Sequence, residues 1–144
     1  MVCLINQITI FLENEPGSLY SATSVLAKAD VDIRAISMLE TSDMVMLRIV
    51  VNEHGKALKV LEDEGIQFKE HRVLAVQIED KPGGLSELAA VFAKNKINIE
   101  YTYPFLTKGG AEALLVLNTD SQNKAEKLLE KSEIRLISES DFYN

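Results

Sequence analysis

The chain has 144 residues, 47% of them hydrophobic and 26% charged, an ordinary globular balance. Its net charge of −7 argues against nucleic-acid binding, which needs a basic face. A single cysteine, Cys3, excludes an intrachain disulfide and a thiolate zinc cluster.

The amino end, Met-Val-Cys-Leu-Ile-Asn-Gln, has neither the basic region nor the apolar length of a leader. No run approaches the roughly 18 apolar residues that cross a bilayer. The expected location is therefore the cytoplasm, with no membrane contact. Ile8, Ile10 and Leu12 alternate with Thr9, Phe11 and Glu13, and a period of two reads as a strand. Pro16 and Gly17 break it, and proline suits a first helical turn, where its missing N–H would be unpaired anyway. Leu19, Ala22, Val25, Leu26 and Ala29 then lie on one helical stripe that Asp30 ends. Val31, Ile33 and Ala35 begin a second strand. Thr41-Ser42-Asp43 is a turn, and Met44 to Val51 is a third strand, apolar on both faces. Asn52 is placed to cap a second helix carrying Ala57, Leu58 and Leu61, which Gly65 stops. Ile66 to Phe68 opens a short fourth strand. The order is β-α-β-β-α-β.

The second half repeats that order. Glu13-Asn14-Glu15-Pro16-Gly17-Ser18-Leu19 returns as Glu79-Asp80-Lys81-Pro82-Gly83-Gly84-Leu85, 66 positions on (82 − 16). Leu74, Val76 and Ile78 match Ile8, Ile10 and Leu12, and Ile97-Asn98-Ile99 matches Val31-Asp32-Ile33. Later the offset is 68, as in Ile134 against Ile66, and the extra residues fall in the hairpin holding Lys108-Gly109-Gly110. The expected organisation is two modules, residues 1–70 and 71–144, of the ferredoxin-like α+β class. Their antiparallel sheets carry helices on one face and lie side by side, because Lys69-Glu70-His71-Arg72 leaves no room for a linker. A module of about 70 residues buries only about 60% of its unfolded surface, so partnership, including a homodimer, is expected. The helix-free face would carry Phe11, Met44, Met46, Val50, Leu114 and Val116, too apolar to stay open to water.

The two loops, each between strand and helix, resemble the opening of an ACT domain, with Val31-Asp32-Ile33 and Ile97-Asn98-Ile99-Glu100 following at the matching distance. The nearest likeness is to the regulatory subunit of acetohydroxyacid synthase. The resemblance covers essentially the whole chain as two such domains. It implies a regulatory protein that binds a free amino acid where the first loop and helix turn of one domain face the second strand of a neighbour. It further implies a regulated enzyme as partner and no cofactor. Asparagine at the Asn14 and Asp32 positions often contacts the ligand in that family. Here the first copy has Asn14 with Asp32, and the second has Asp80 with Asn98.

The chemistry of the loops agrees with that implication. A free amino acid presents a carboxylate, which needs donors, and an ammonium, which needs acceptors. The unpaired amides of a first helical turn suit the carboxylate: Gly17, Ser18 and Leu19 in one copy, Gly83, Gly84 and Leu85 in the other. Gly17 and Gly83 lack a Cβ and allow close approach. Asn14, Asp32, Asp80 and Asn98 offer acceptors. In the bland alternative Pro-Gly only turns the chain into a helix that Asn14 or Asp80 caps, and Asp32 only faces solvent. If Asp32 lines a pocket, it favours histidine or another polar or cationic ligand. His54 and His71 read as lone surface histidines, without partners at metal spacing. Tyr101, Tyr103 and Phe105 alternate like the aromatic platform of an RNA-recognition module, but basic residues are few. No nucleophile, base or phosphate loop is evident, so no catalytic residue is expected. A small enzyme on this fold, or an interaction subunit with vestigial sites, is the alternative.

Overall fold

The computed structural model describes residues 4–106 and 112–142. Its elements are β1 (Leu4–Glu13), α1 (Ser18–Lys28), β2 (Ile33–Glu40), β3 (Met44–Val51), α2 (His54–Asp63), β4 (Phe68–Glu79), α3 (Gly84–Lys94), β5 (Ile99–Pro104), β6 (Glu112–Thr119), α4 (Gln122–Glu130), β7 (Arg135–Leu136) and α5 (Glu139–Phe142). Cys3 and the Lys108-Gly109-Gly110 stretch lie outside the described residues. Two compact units emerge. One is Asn6–His71; the other runs from Arg72 onward and includes Leu4 and Ile5.

In the first unit the strand order is β2-β3-β1-β4. The β1/β3 ladder is antiparallel and pairs Ile8 with Ile49, Ile10 with Leu47 and Leu12 with Val45. The period of two sends Ile8 and Ile10 to the helix side, where they close a core with Leu47, Ile49, Leu26 of α1, and Ala57 and Leu61 of α2. Each of these leucines and isoleucines, fully buried, contributes about 1.5–3 kcal/mol. In the second unit β5-β6-β4 continues to β7, which pairs with β4 through Val76 and Leu136. Leu74, Val76, Leu88, Phe92, Ile97, Leu117 and Leu129 make the equivalent core, and Leu4 packs on it. Phe92 stands where the first unit has Leu26.

Three helices end alike. After α1, α2 and α3 the chain enters the left-handed region at Asp30 (φ 59°), Gly65 (φ 69°) and Lys96 (φ 57°). The next residue's N–H reaches back to the third-last helical carbonyl, Val31 to Leu26, Ile66 to Leu61 and Ile97 to Phe92, at 2.9–3.0 Å. This double-bonded cap satisfies carbonyls that a helix end leaves open.

Several expectations need correction. Ile66–Phe68 and the Leu74 strand are not separate: β4 is one strand of 12 residues, and polar Lys69 to Arg72 sit within it. Asn52 does not cap α2, whose N-cap is Glu53 without a side-chain bond. His54 is no lone surface histidine; its ring is largely buried with Nε2 2.8 Å from Glu70 Oε1. Tyr103 and Phe105 are buried, so Tyr101, Tyr103 and Phe105 form no open platform. On the helix-free face Val50 and Val116 are already buried within this chain, whereas Met44 is 36% exposed.

Candidate functional site

The first loop joins β1 to α1. Glu15 N–H donates to the Glu13 carbonyl (2.9 Å), and Ser18 N–H donates to the Glu15 carbonyl (3.3 Å). Gly17, at φ 91°, is the N-cap of α1, and its carbonyl accepts the first helical bond from Ser21 (2.9 Å). Only glycine takes that φ without steric cost. A glycine cap carries no side chain, and no other side chain caps α1. The N–H groups of Leu19 and Tyr20 are therefore left without an intrahelical acceptor, in the region where the helix dipole is positive. Ser18 differs from expectation: its amide is committed to the turn, which leaves its hydroxyl as the group it can offer. Asn14 is exposed and caps nothing, so the bland capping alternative fails for it as well.

Beside this loop lies a hollow of about 610 Å³ lined by Glu13, Glu15, Pro16, Gly17, Ser18, Asp43 and Gln67 among others. Glu13, Glu15 and Asp43 are its acidic lining residues, and among the described residues lining it none is basic. Asp43 reaches the site because the β1/β3 register pairs Glu13 with Met44, the residue after it. Composition gave no hint of Asp43 or Gln67; a hairpin register drawn from the strand pattern would have found Asp43.

The second loop repeats the backbone but not the side chains. Lys81 N–H donates to the Glu79 carbonyl and Gly84 N–H to the Lys81 carbonyl, both at 3.0 Å, and Gly83 caps α3 at φ 87°. The helix end sits so close to the strand here that a Cβ on Gly84 would collide with the Glu79 carbonyl oxygen. Lys81 Nζ lies 3.0 Å from Glu79 and 3.6 Å from Glu87. The hydrogen bond to Glu79, then the nearby charges of Glu79 and Glu87, raise the Lys81 pKa above the ordinary lysine value. The adjoining hollow, about 530 Å³, is lined by Glu79, Gly84, Glu87, Glu112, Glu133 and Arg135 among others. Of the site residues expected in the second module only Gly84 lines it; Asp80, Gly83 and Leu85 of the loop and Asn98 of the strand do not.

Asp32 and Asn98 turn out to be paired in a common device. Asp32 N–H donates to Asn52 Oδ1 (2.8 Å), and Asn52 N–H returns to the Asp32 carbonyl (3.1 Å). Asn98 N–H donates to Asp120 Oδ1 (3.0 Å), and Asp120 N–H returns to the Asn98 carbonyl (3.1 Å). Asp32 also pairs with Arg34 at 3.2 Å and lines a separate hollow with Tyr20 and Thr23. The structure thus groups Gly17 and Ser18 around one hollow and leaves Asp32 at another.

Residues 3–144 match the family model described as an ACT domain pair. A crystal structure of a protein from Bacteroides thetaiotaomicron has a TM-score of 0.91 and 29% identity, over 98% of this chain and 96% of that one. The regulatory subunit of aspartate kinase from Thermus thermophilus, in its ligand-free form, has a TM-score of 0.64 at 15% identity, over 89% and 91%. That from Thermus flavus has 0.60 at 16%, over 88% and 90%. The likeness to these two subunits is one of fold. No curated protein matches the sequence significantly. Among the described residues no helix is long and apolar enough to cross a membrane.

Proposed function

This chain belongs to the ACT-domain family, as a pair of ACT domains, and we propose that it is a regulatory protein that binds a free amino acid and passes its presence to a partner. The observation that carries this reading is the doubled loop. In each module a left-handed glycine caps the helix that follows the first strand, and no side chain occupies the cap. A ligand carboxylate at such an end meets free amides and a positive dipole end. The residues we assign to ligand contact are Asn14, Gly17, Ser18 and Leu19 at the first loop, Asp80, Gly83, Gly84 and Leu85 at the second, and Asp32 and Asn98 on the second strands, each strand serving the loop of a neighbouring domain. Binding would favour one conformational state over another, and a regulated enzyme that prefers that state would respond. The chain catalyses no step of its own on this view, and a homodimer is its working form.

A second reading, an interaction subunit with vestigial sites, draws on the exposure of Leu19 (37%), Tyr20 (76%) and Leu85 (49%) beside the same loops. Melting the protein with each of the twenty amino acids separates the two. A ligand at about 100 times its Kd adds about 2.7 kcal/mol and raises the melting temperature. We expect a rise with at least one amino acid, diminished in Gly17→Val or Gly83→Val. No rise with any of the twenty, together with capture of a protein partner, would leave only the interaction subunit.

A further inference from the structure

Resting on the homodimer reading, we propose that the two copies join through the outer edge of β2, strand against strand, about a two-fold axis at Ser37. Among the described residues β2 pairs with β3 alone, so no strand lies along its other edge. A sheet edge left open in this way is a template for a further strand. β2 carries neither lysine nor proline to blunt that edge, and it exposes Met38 by 50% and Leu39 by 43%. In the second unit the corresponding strand, β5, has six residues against eight and ends in Pro104, which has no N–H to give.

The sequence of β2 says which strand fits it. An antiparallel pair on a two-fold axis sets one residue opposite itself, and moving that centre by one residue changes every facing pair. With Ser37 at the centre, Ile36 faces Met38 of the second copy, and Arg34 of each copy stands by Glu40 of the other. Opposite charges then close both ends of the pair. Arg34 already holds Asp32 at 3.2 Å in its own chain, and a guanidinium has donors for a second carboxylate. A centre at Ile36 would instead set Glu40 against Asp32 of the second copy, two like charges. A centre at Met38 would leave Glu40 against Ile36 and Arg34 against Ser42. Of these registers only the one at Ser37 is complementary in charge. The same join brings the two α1 helices side by side, because Tyr20 and Thr23 of α1 line a hollow of about 440 Å³ with Ile33 at the start of β2. Ser24 and Ala27 keep its helix wall low, and Tyr20 is the large exposed side chain that a second α1 would cover.

The test is sedimentation velocity of the full chain, with cysteine cross-linking in a Cys3→Ala background. We expect a dimer that Ser37→Cys locks covalently on mild oxidation, since directly opposed Cα atoms lie about 4.5–5.5 Å apart, within disulfide reach. Leu39→Cys should not lock it, because the two copies of that position are offset by four residues, about 13 Å along the strand. Arg34→Glu should weaken the dimer by about tenfold with unchanged circular dichroism, and adding Glu40→Arg should restore it. A dimer that Ser37→Cys fails to lock, that Leu39→Cys locks equally well, or that the double charge exchange does not restore would overturn the proposal and leave the homodimer reading standing on another surface, β5 included. A monomer at every concentration would overturn both.

Discussion

Gly84 and Ser18 hold one place in the repeat, yet only one of them can be changed freely. The Glu79 carbonyl lies where a Cβ of residue 84 would go, so Gly84→Ala must push helix from strand. We expect it to cost about 1–3 kcal/mol, as overpacking does, while Ser18→Ala stays within about 0.5 kcal/mol; urea denaturation of the two variants checks the contrast. Lys96 is the reverse case, a side chain at φ 57° in a helix-ending turn that glycine fills at Gly65. Lys96→Gly should raise the melting temperature, by up to about 1 kcal/mol of stability, because relief of left-handed strain outweighs the added freedom of the unfolded chain. The left-handed glycines of the two loops were readable from Pro-Gly alone. Crowding at Gly84 was not, because it depends on how closely a helix approaches its strand.

At the scale of elements, α5 is four residues long and is held by its cap rather than by length. Ser138 N–H and Oγ donate to Asp141 Oδ2 at 2.9 and 3.1 Å, and Asp141 N–H returns to the Ser138 carbonyl. Asp141 thus reaches back to the Ser138 N–H as the acidic residue of a capping box does, while its own N–H is held by the Ser138 carbonyl rather than the hydroxyl. The Ser138 backbone N–H is the largest cause that holds the Asp141 pKa below its ordinary value; the Ser138 hydroxyl and Arg135 add to it. A depressed carboxylate stabilises the fold above its unfolded pKa, near 3.9, and that contribution is lost as pH falls through the folded value. Amide protection around residues 138–142, measured against the intrinsic exchange rate, should therefore fall below about pH 4, and Asp141→Asn should remove that pH step. Alternation located the strands well: Ile8, Ile10, Leu74 and Val76 all point into cores. It failed at β4, where Lys69 to Arg72 read as a join. Strand bonds are made by the backbone, and polar side chains on an exposed stretch do not break them.

In the whole molecule each unit keeps a core of its own, and the two are equivalent in position but not in size. Phe92 fills the place of Leu26, so the second core depends on one large ring. Phe92→Ala should cost about 3–5 kcal/mol and Leu26→Ala about 2–5, large shares of the roughly 5–15 kcal/mol that hold a protein folded; denaturant midpoints would show it. The duplication was legible because apolar residues recur at fixed offsets and cores tolerate little else. The difference between the loops was written just as openly, in Glu15 against Lys81, but its meaning needed the distances to Glu79 and Glu87. The crossings at Asp32 with Asn52 and Asn98 with Asp120 carry a last lesson. Each joins one acid to one amide, with the order reversed between the copies. In both copies the residue just after the strand, Asn52 or Asp120, lends a side-chain oxygen to the crossing, while Asp32 and Asn98 take part through their backbone alone. An amide oxygen and a carboxylate oxygen accept the same N–H, so exchanging Asn52 for aspartate should keep the crossing, whereas alanine there would leave the Asp32 N–H without its acceptor.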